Sequence, residues 1–182
     1  RFRNFLSYDR CWLEEVGSED SHGRALFGLG TVLSRAKDAG FKGLANRLFV
    51  LALPAVRQFS SPRAWAFTLI GLDGYLRVSA GDRIAQDTRK TLVERLLSLF
   101  RRTSSPEWLW CEDIITYSNA SVPHALLAAG RQMGRQDAVE IALRWLADIQ
   151  RAEEGHFVPI GSNGFYSKAG EKARFDQQPI EA

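Results

Sequence analysis

Three stretches of this chain carry no charged side chain, and each is followed by one that carries more. Ala25 to Ser34, Ala64 to Leu72 and Ala120 to Gly130 contain no Asp, Glu, Lys or Arg. A helix that is apolar all round has to be buried on every side, because it has no arc suited to water. The intervening stretches are amphipathic. In Asp82 to Arg102, the residues Ala85, Leu92, Val93, Leu96, Leu97 and Phe100 keep to one helical face, and Arg83, Asp87, Arg89, Lys90, Glu94 and Arg95 occupy the rest. Arg135 to Arg151 repeats the pattern with Val139, Ala142, Leu143, Leu146 and Ile149 inward. Phe41 to Phe59 is a less charged version, in which Pro54 ends or kinks the regular helix.

The chain therefore runs inner, outer, inner, outer, inner, outer. The inner helices also begin alike. Ser61-Pro62 puts a capping residue before a first-turn proline, and Ser121-Val122-Pro123 does nearly the same. Gln178-Pro179 opens a fourth start, and Ser18-Glu19-Asp20-Ser21 places two acids where the helix dipole favours them. These starts recur roughly every 40 to 60 residues, the range of helical-hairpin repeats. The expected fold is all-α: a partial (α/α) toroid of alternating inner and outer helices, with a small β-hairpin near 156–168. Its strands are expected around His156 to Ile160 and Phe165-Tyr166, joined by a Gly161-to-Gly164 turn. A HEAT- or TPR-like solenoid is the rival, although its repeats are shorter and its two helices more alike in polarity. Residues 1–182 are expected to form a single helical domain, a fragment of a larger (α/α)6 toroid.

Composition excludes some functions. Of the 182 residues 45% are hydrophobic, enough for one sizeable core. The net charge is +3, with acids and bases mixed along the chain, and the basic run Arg95 to Arg102 has leucines at helical spacing. A solvated helix face explains that run, so no nucleic-acid partner is expected. Cys11 and Cys111 lie far apart without metal-ligand spacing, and reduced thiols in a cytoplasmic protein are the default. No apolar run reads as a membrane span, so no membrane partner is expected. No zinc-ligand set, phosphate loop or dinucleotide glycine signature occurs, so neither metal nor cofactor is expected. Gly28 and Gly30 read as packing positions on an inner helix.

A ring of up-down hairpins brings every outer-to-inner connection to one rim. Asp20, His22, Arg63, Glu112, Asp113, Tyr117, Asn119, Asp176 and Gln177 stand at such connections. Long loops on a rigid frame are where binding residues concentrate, and segments 103–118 and 152–178 are long for helix connections. They add Trp110, His156, Asn163 and Phe165, with Trp108 and Tyr166 beside them. Rings beside carboxylates and amides suit a sugar, whose C–H faces stack and whose hydroxyls hydrogen-bond. Asp20, Glu112, Asp113 and Asp176 are the candidate catalytic carboxylates, because glycoside hydrolysis needs two carboxyl groups across one bond; Glu181 is a further possible second member. The remaining residues are candidate substrate contacts. For Asp20 the alternative is helix capping, and for the aromatics it is sealing the loops onto the bundle. His22 and His156 are acid/base candidates of the kind an epimerase uses, whereas His124 reads as a core residue.

The segments Phe5 to Arg10, Trp12 to Glu15, Ser18 to Arg24, Glu112-Asp113, Tyr117 to Ala120, Pro159 to Gly164 and Phe175 to Pro179 resemble a group of bacterial helical-toroid proteins. Members of that group carry the name glycosyltransferase or are found fused to or beside one. The resemblance covers most of the chain. It implies a fold similar to six-hairpin glycosidases and N-acylglucosamine 2-epimerases, an oligosaccharide or sugar ligand, and a glycosyltransferase domain or protein as a possible partner. It transfers no catalytic residue. The alternative function is a non-catalytic helical module that docks on a glycosyltransferase or another protein.

Overall fold

The computed structural model describes residues 1–149, 152–153 and 156–178. The fold is all-α with small β elements. The helices are α1 (Glu19–Arg35), α2 (Ala39–Ala52), α3 (Pro62–Val78), α4 (Arg83–Thr103), α5 (Ser121–Met133) and α6 (Gln136–Ile149), with a 3-10 turn over Leu53–Gln58. Four two-residue strands accompany them: β1 (Ile114–Ile115), β2 (Ala152–Glu153), β3 (His156–Phe157) and β4 (Tyr166–Ser167). The chain forms two compact units, Arg1–Leu92 and Val93–Ala182.

In the first unit, α1 and α3 run parallel in close contact. A Cβ on Gly30 would lie 2.1 Å from the carbonyl oxygen of Gly71, one on Gly71 would lie 2.4 Å from that of Leu26, and one on Gly74 would lie 2.3 Å from that of Gly30. Only glycine permits backbones to approach this closely. Gly30 is thus a packing glycine, whereas Gly28 is exposed and has open space around its Cβ position.

α3 is buried along most of its length, as its charge-free stretch Ala64 to Leu72 requires. α1 is not. It buries one face, His22, Gly23, Leu26, Gly30 and Leu33, while Phe27 is 38% exposed. Absence of charge reports what a helix can tolerate, and the neighbours present decide how much of it is covered.

α2 ends at Ala52 and tightens into the 3-10 turn, whose first positions include Pro54. Proline has no N–H to continue the α ladder. Phe49 of α2 stacks on Tyr75 of α3 with centroids 4.4 Å apart. The phenol of Tyr75 donates to Asp82, which in turn accepts from the amide of Ala85 at the start of α4. Those two hydrogen bonds hold the Asp82 carboxyl below its ordinary range, the Ala85 amide contributing most.

The small β-hairpin is present, but its strands are β2 and β3, while β4, expected to pair with the strand at His156, pairs with β1 instead. Further features differ from the sequence expectation. Ala39–Gln58 is long and apolar enough, by length and composition, to cross a membrane. Its inward face packs Ala45, Phe49, Ala52, Leu53 and Val56, while Phe41, Leu44, Val50 and Leu51 stay exposed. The N-terminal segment adds a hairpin-like arm in which Leu6 bridges Trp12 and Leu13 N–H donates to Phe5, with Phe5, Tyr8, Trp12 and Leu13 exposed.

In the second unit, α5 and α6 pack as a hairpin around Gly134, whose φ of 66° lets the chain turn directly after α5. Arg135 binds Asp137 and Glu94. Among the described side chains of α6, Ala138, Ala142 and Trp145 are buried, whereas Leu143, expected inward, is exposed; the side chains of Leu146 and Ile149 lie outside the described residues. His124, expected in the core, is also exposed, because α5 buries only its Val122, Ala125, Leu126 and Ala129 side.

Candidate functional site

The first unit holds three of the candidates. Asp20 accepts from Arg24 Nε at 2.8 Å, one helical turn on, and the Arg24 guanidinium lies 4.2 Å from the Phe67 ring centroid. The neighbouring Glu19 spans to the next helix start: its Oε2 accepts from the amides of Ser60 and Ser61, each at 2.8 Å. Ser61 itself caps α3 by accepting from Ala64. Ser18 caps α1, Asp20 pairs with Arg24 within the helix, and Glu19 links the start of α1 to the turn before α3 by accepting from two of its amides.

His22 is buried, and both ring nitrogens are engaged. Nδ1 accepts from the Phe2 amide at 3.0 Å, and Nε2 donates to the Ala52 carbonyl at 3.1 Å. Burial holds its pKa below the usual histidine value. Phe2 and Phe59 flank the ring. The expectation of a substrate-facing His22 is corrected: no ring nitrogen is left for a substrate proton. Arg63, at the second position of α3, is also buried.

The second unit brings the two long loops together. β1 pairs antiparallel with β4, Ile114 opposite Ser167 and Ile115 opposite Tyr166. The Lys168 amide donates to the Asp113 carbonyl at 2.8 Å, and its ammonium group reaches the Thr103 carbonyl at 3.0 Å. Within segment 158–178, Gly161 bridges Gln177, Ser162 Oγ donates to the Asp176 carbonyl, and the Gln177 amide donates to Pro159. The candidate acids Asp113 and Asp176 thus stand on loops tied by main-chain pairing.

What these loops expose is narrower than the expected set. Asp113, Asn163, Asp176 and Gln177 are exposed, Tyr117 is 40% exposed, and Glu112 and Phe165 are half-buried. Trp110 is corrected to a core residue. It is 0% exposed, between Phe100 and Trp145, and its indole N–H donates to the Ile114 carbonyl. A ring with no exposed face cannot stack on a sugar. Trp108 is likewise buried, edge-on to Tyr166 and bonded to the Glu112 carbonyl. Asn119 is buried too, its side-chain amide donating to Thr116 and turning the chain into α5. The backbone of His156 lies in β3, and its side chain, like Glu181 and the expected fourth helix start at Pro179, is outside the described residues.

Ser118, Phe165 and Asp176 adopt positive φ values of 52°, 56° and 56°. Non-glycine residues rarely take this conformation, and it clusters at sites where surrounding structure over-determines the backbone. Sequence reasoning missed Lys168 and Ser162, which lock the loops. A lysine or serine in a polar loop has no pattern that distinguishes it, and only the pairing of the loops gives it a partner.

Among the described residues, no group of three or more His, Cys, Asp or Glu side chains could hold a metal ion. Cys11 and Cys111 are not disulfide-bonded. Comparison with protein-family models, with curated proteins and with solved structures returned no match to this chain.

Proposed function

We propose that the second unit binds an oligosaccharide on the surface formed by loops 103–118 and 158–178 beside the start of α5. The pairing of β1 with β4 carries this reading, because it joins two loops rich in acids, amides and aromatics. Asp113, Asp176, Asn163 and Gln177 supply acceptors and donors for sugar hydroxyls, and Tyr117 supplies a partly open ring. Asp113 and Asp176, with Glu112, are the carboxyl groups from which hydrolysis or isomerisation would draw an acid and a base. In this reading the chain is part of a larger (α/α)6 ring, with a glycosyltransferase domain or protein as its partner.

Alanine substitution at Asp113 and at Asp176, in protein tested on an oligosaccharide array, checks it. Each change is expected to weaken the strongest interaction at least about tenfold, the scale of a lost charge-assisted hydrogen bond. Unchanged binding in both overturns the assignment.

A second reading has its own support. The exposed Phe41, Leu44 and Leu51 on α2 favour a helical module that docks on a protein such as a glycosyltransferase. It predicts sugar-independent association that is lost on Leu44→Glu and retained on Asp113→Ala.

A further inference from the structure

Ala39–Gln58 spans 20 residues; its most apolar stretch has a mean hydropathy of 1.2, and 28% of that stretch is buried. A core helix of this composition would be covered on most sides. Ala45, Phe49 and Ala52 form the inward side of α2. Arg47 lies two residues from both Ala45 and Phe49, which at 3.6 residues per turn places it near the middle of the opposite arc. Its neighbours on the helix surface, three and four residues away, are Gly43, Leu44, Val50 and Leu51, and all four are exposed. Leu44 is 58% exposed and Leu51 70%. One guanidinium thus stands among four non-polar positions.

Charge selects the occupant of this arc. No Asp or Glu occurs between Asp38 and Asp73, whereas Lys42, Arg47 and Arg57 all fall within Ala39–Gln58. Asp38 is itself engaged as the cap of α2, accepting from the Phe41 amide at 2.8 Å. A contact between the α2 faces of two copies would set bases against bases, so the arc suits an anionic surface. A protein carboxylate would satisfy the single guanidinium but leave the leucines around it in need of a matched apolar partner. A lipid surface supplies both, with phosphates for the bases and acyl chains below them for the apolar side chains. The helix does not cross the bilayer in this arrangement. Its inward side stays packed in the first unit, through Phe49 on Tyr75 and the Ala52 carbonyl on His22.

We propose that the first unit binds the surface of an anionic lipid membrane, with α2 lying in the headgroup plane. Leu44, Val50 and Leu51 enter the acyl boundary, and Arg47 and Lys42 meet lipid phosphates. This occupant differs from the protein partner of the second functional reading, and the oligosaccharide surface takes no part in it.

The test is co-sedimentation of the full chain with phosphatidylcholine vesicles containing about 30 mol% phosphatidylglycerol, and in parallel with pure phosphatidylcholine vesicles. Binding to the anionic vesicles is expected to be at least about tenfold tighter and to weaken as salt is raised. Arg47→Gln should weaken it about fivefold, the scale of one cation at an anionic surface. Leu44→Glu combined with Leu51→Glu should abolish it while circular dichroism stays native, since both positions are exposed. Lys90→Gln removes the same charge from an exposed position on α4 and should change binding by less than about twofold. No binding to either vesicle, equal binding to both, equal losses from Lys90→Gln and Arg47→Gln, or undiminished binding in the natively folded double variant would each overturn the proposal. Association with a protein in the absence of vesicle binding would overturn it too, and would favour the second functional reading.

Discussion

The main-chain N–H of Phe2 donates to Nδ1 of His22 across 3.0 Å, which makes Nε2 the protonated nitrogen and lets it donate to the Ala52 carbonyl at 3.1 Å. One neutral ring thereby ties the N-terminal segment to the end of α2. Protonation puts the ring's second N–H on Nδ1, facing a donor, so the Phe2 contact is lost.

Stability is expected to fall with acidification for this reason. Burial, the dominant cause, lowers the folded pKa of His22 below its ordinary 6.5. The unfolded chain then binds the proton more readily than the folded one, so stability rises with pH across this window. The contribution is fully present above about 6.5 and is lost as pH drops through the lowered folded value. Urea midpoints between pH 8 and 5 should show this decline, and His22→Phe should flatten it. An equal decline in both proteins would assign it to other groups.

Gly30 and Gly28 stand two residues apart on α1 and should respond oppositely to alanine. Gly30→Ala drives a methyl into the Gly71 carbonyl, and an overpacked helix crossing costs about 3 kcal/mol. Gly28→Ala meets open space and gains helix propensity worth about 0.5 to 1 kcal/mol. Denaturant titration of the two variants gives the sign directly.

Glu19 links two helix starts through one carboxylate oxygen. Glu19→Ala strips the Ser60 and Ser61 amides of their acceptor and should cost about 1 to 2 kcal/mol. Glu19→Gln keeps an acceptor and should cost less. If the two variants were equally stable, water would be an adequate substitute for the carboxylate.

Trp110→Ala should destabilise the second unit by about 3 to 5 kcal/mol, the usual cost of emptying a large aromatic site in a core. Sugar binding would then fall with the folded fraction. Asp113→Ala, at an exposed position, should leave the thermal midpoint within a few degrees of the native value. Measuring melting beside binding separates a ligand contact from a packing residue.

The helices were largely legible in the sequence. Leu92, Val93, Leu96, Leu97 and Phe100 are buried as their spacing on α4 required, and the charge-free stretch of α3 is as enclosed as its composition demanded. The proline at position 54 ends α2 as proline chemistry dictates. The candidate site was less legible. Trp108 and Trp110 share a composition with ligand-stacking aromatics, but their indole N–H groups find carbonyls within their own loop and their rings fill the core. Nothing local distinguishes a tryptophan that faces a sugar from one that faces a helix.

Periodicity, capping residues and the absence of charge were enough to determine which segments become helices and where most of them start, because these depend on contacts within a few residues. Coverage was decided only by the tertiary structure. Phe27 and Leu143 are open and His124 is exposed, while Asn119 and His22 are enclosed. Burial depends on what packs from elsewhere in the chain, and that information is not local. The alternation of charge-free and amphipathic stretches thus located the helices. Which loop side chains stay exposed was decided by the pairing of β1 with β4 and by the hydrogen bonds that claimed the others.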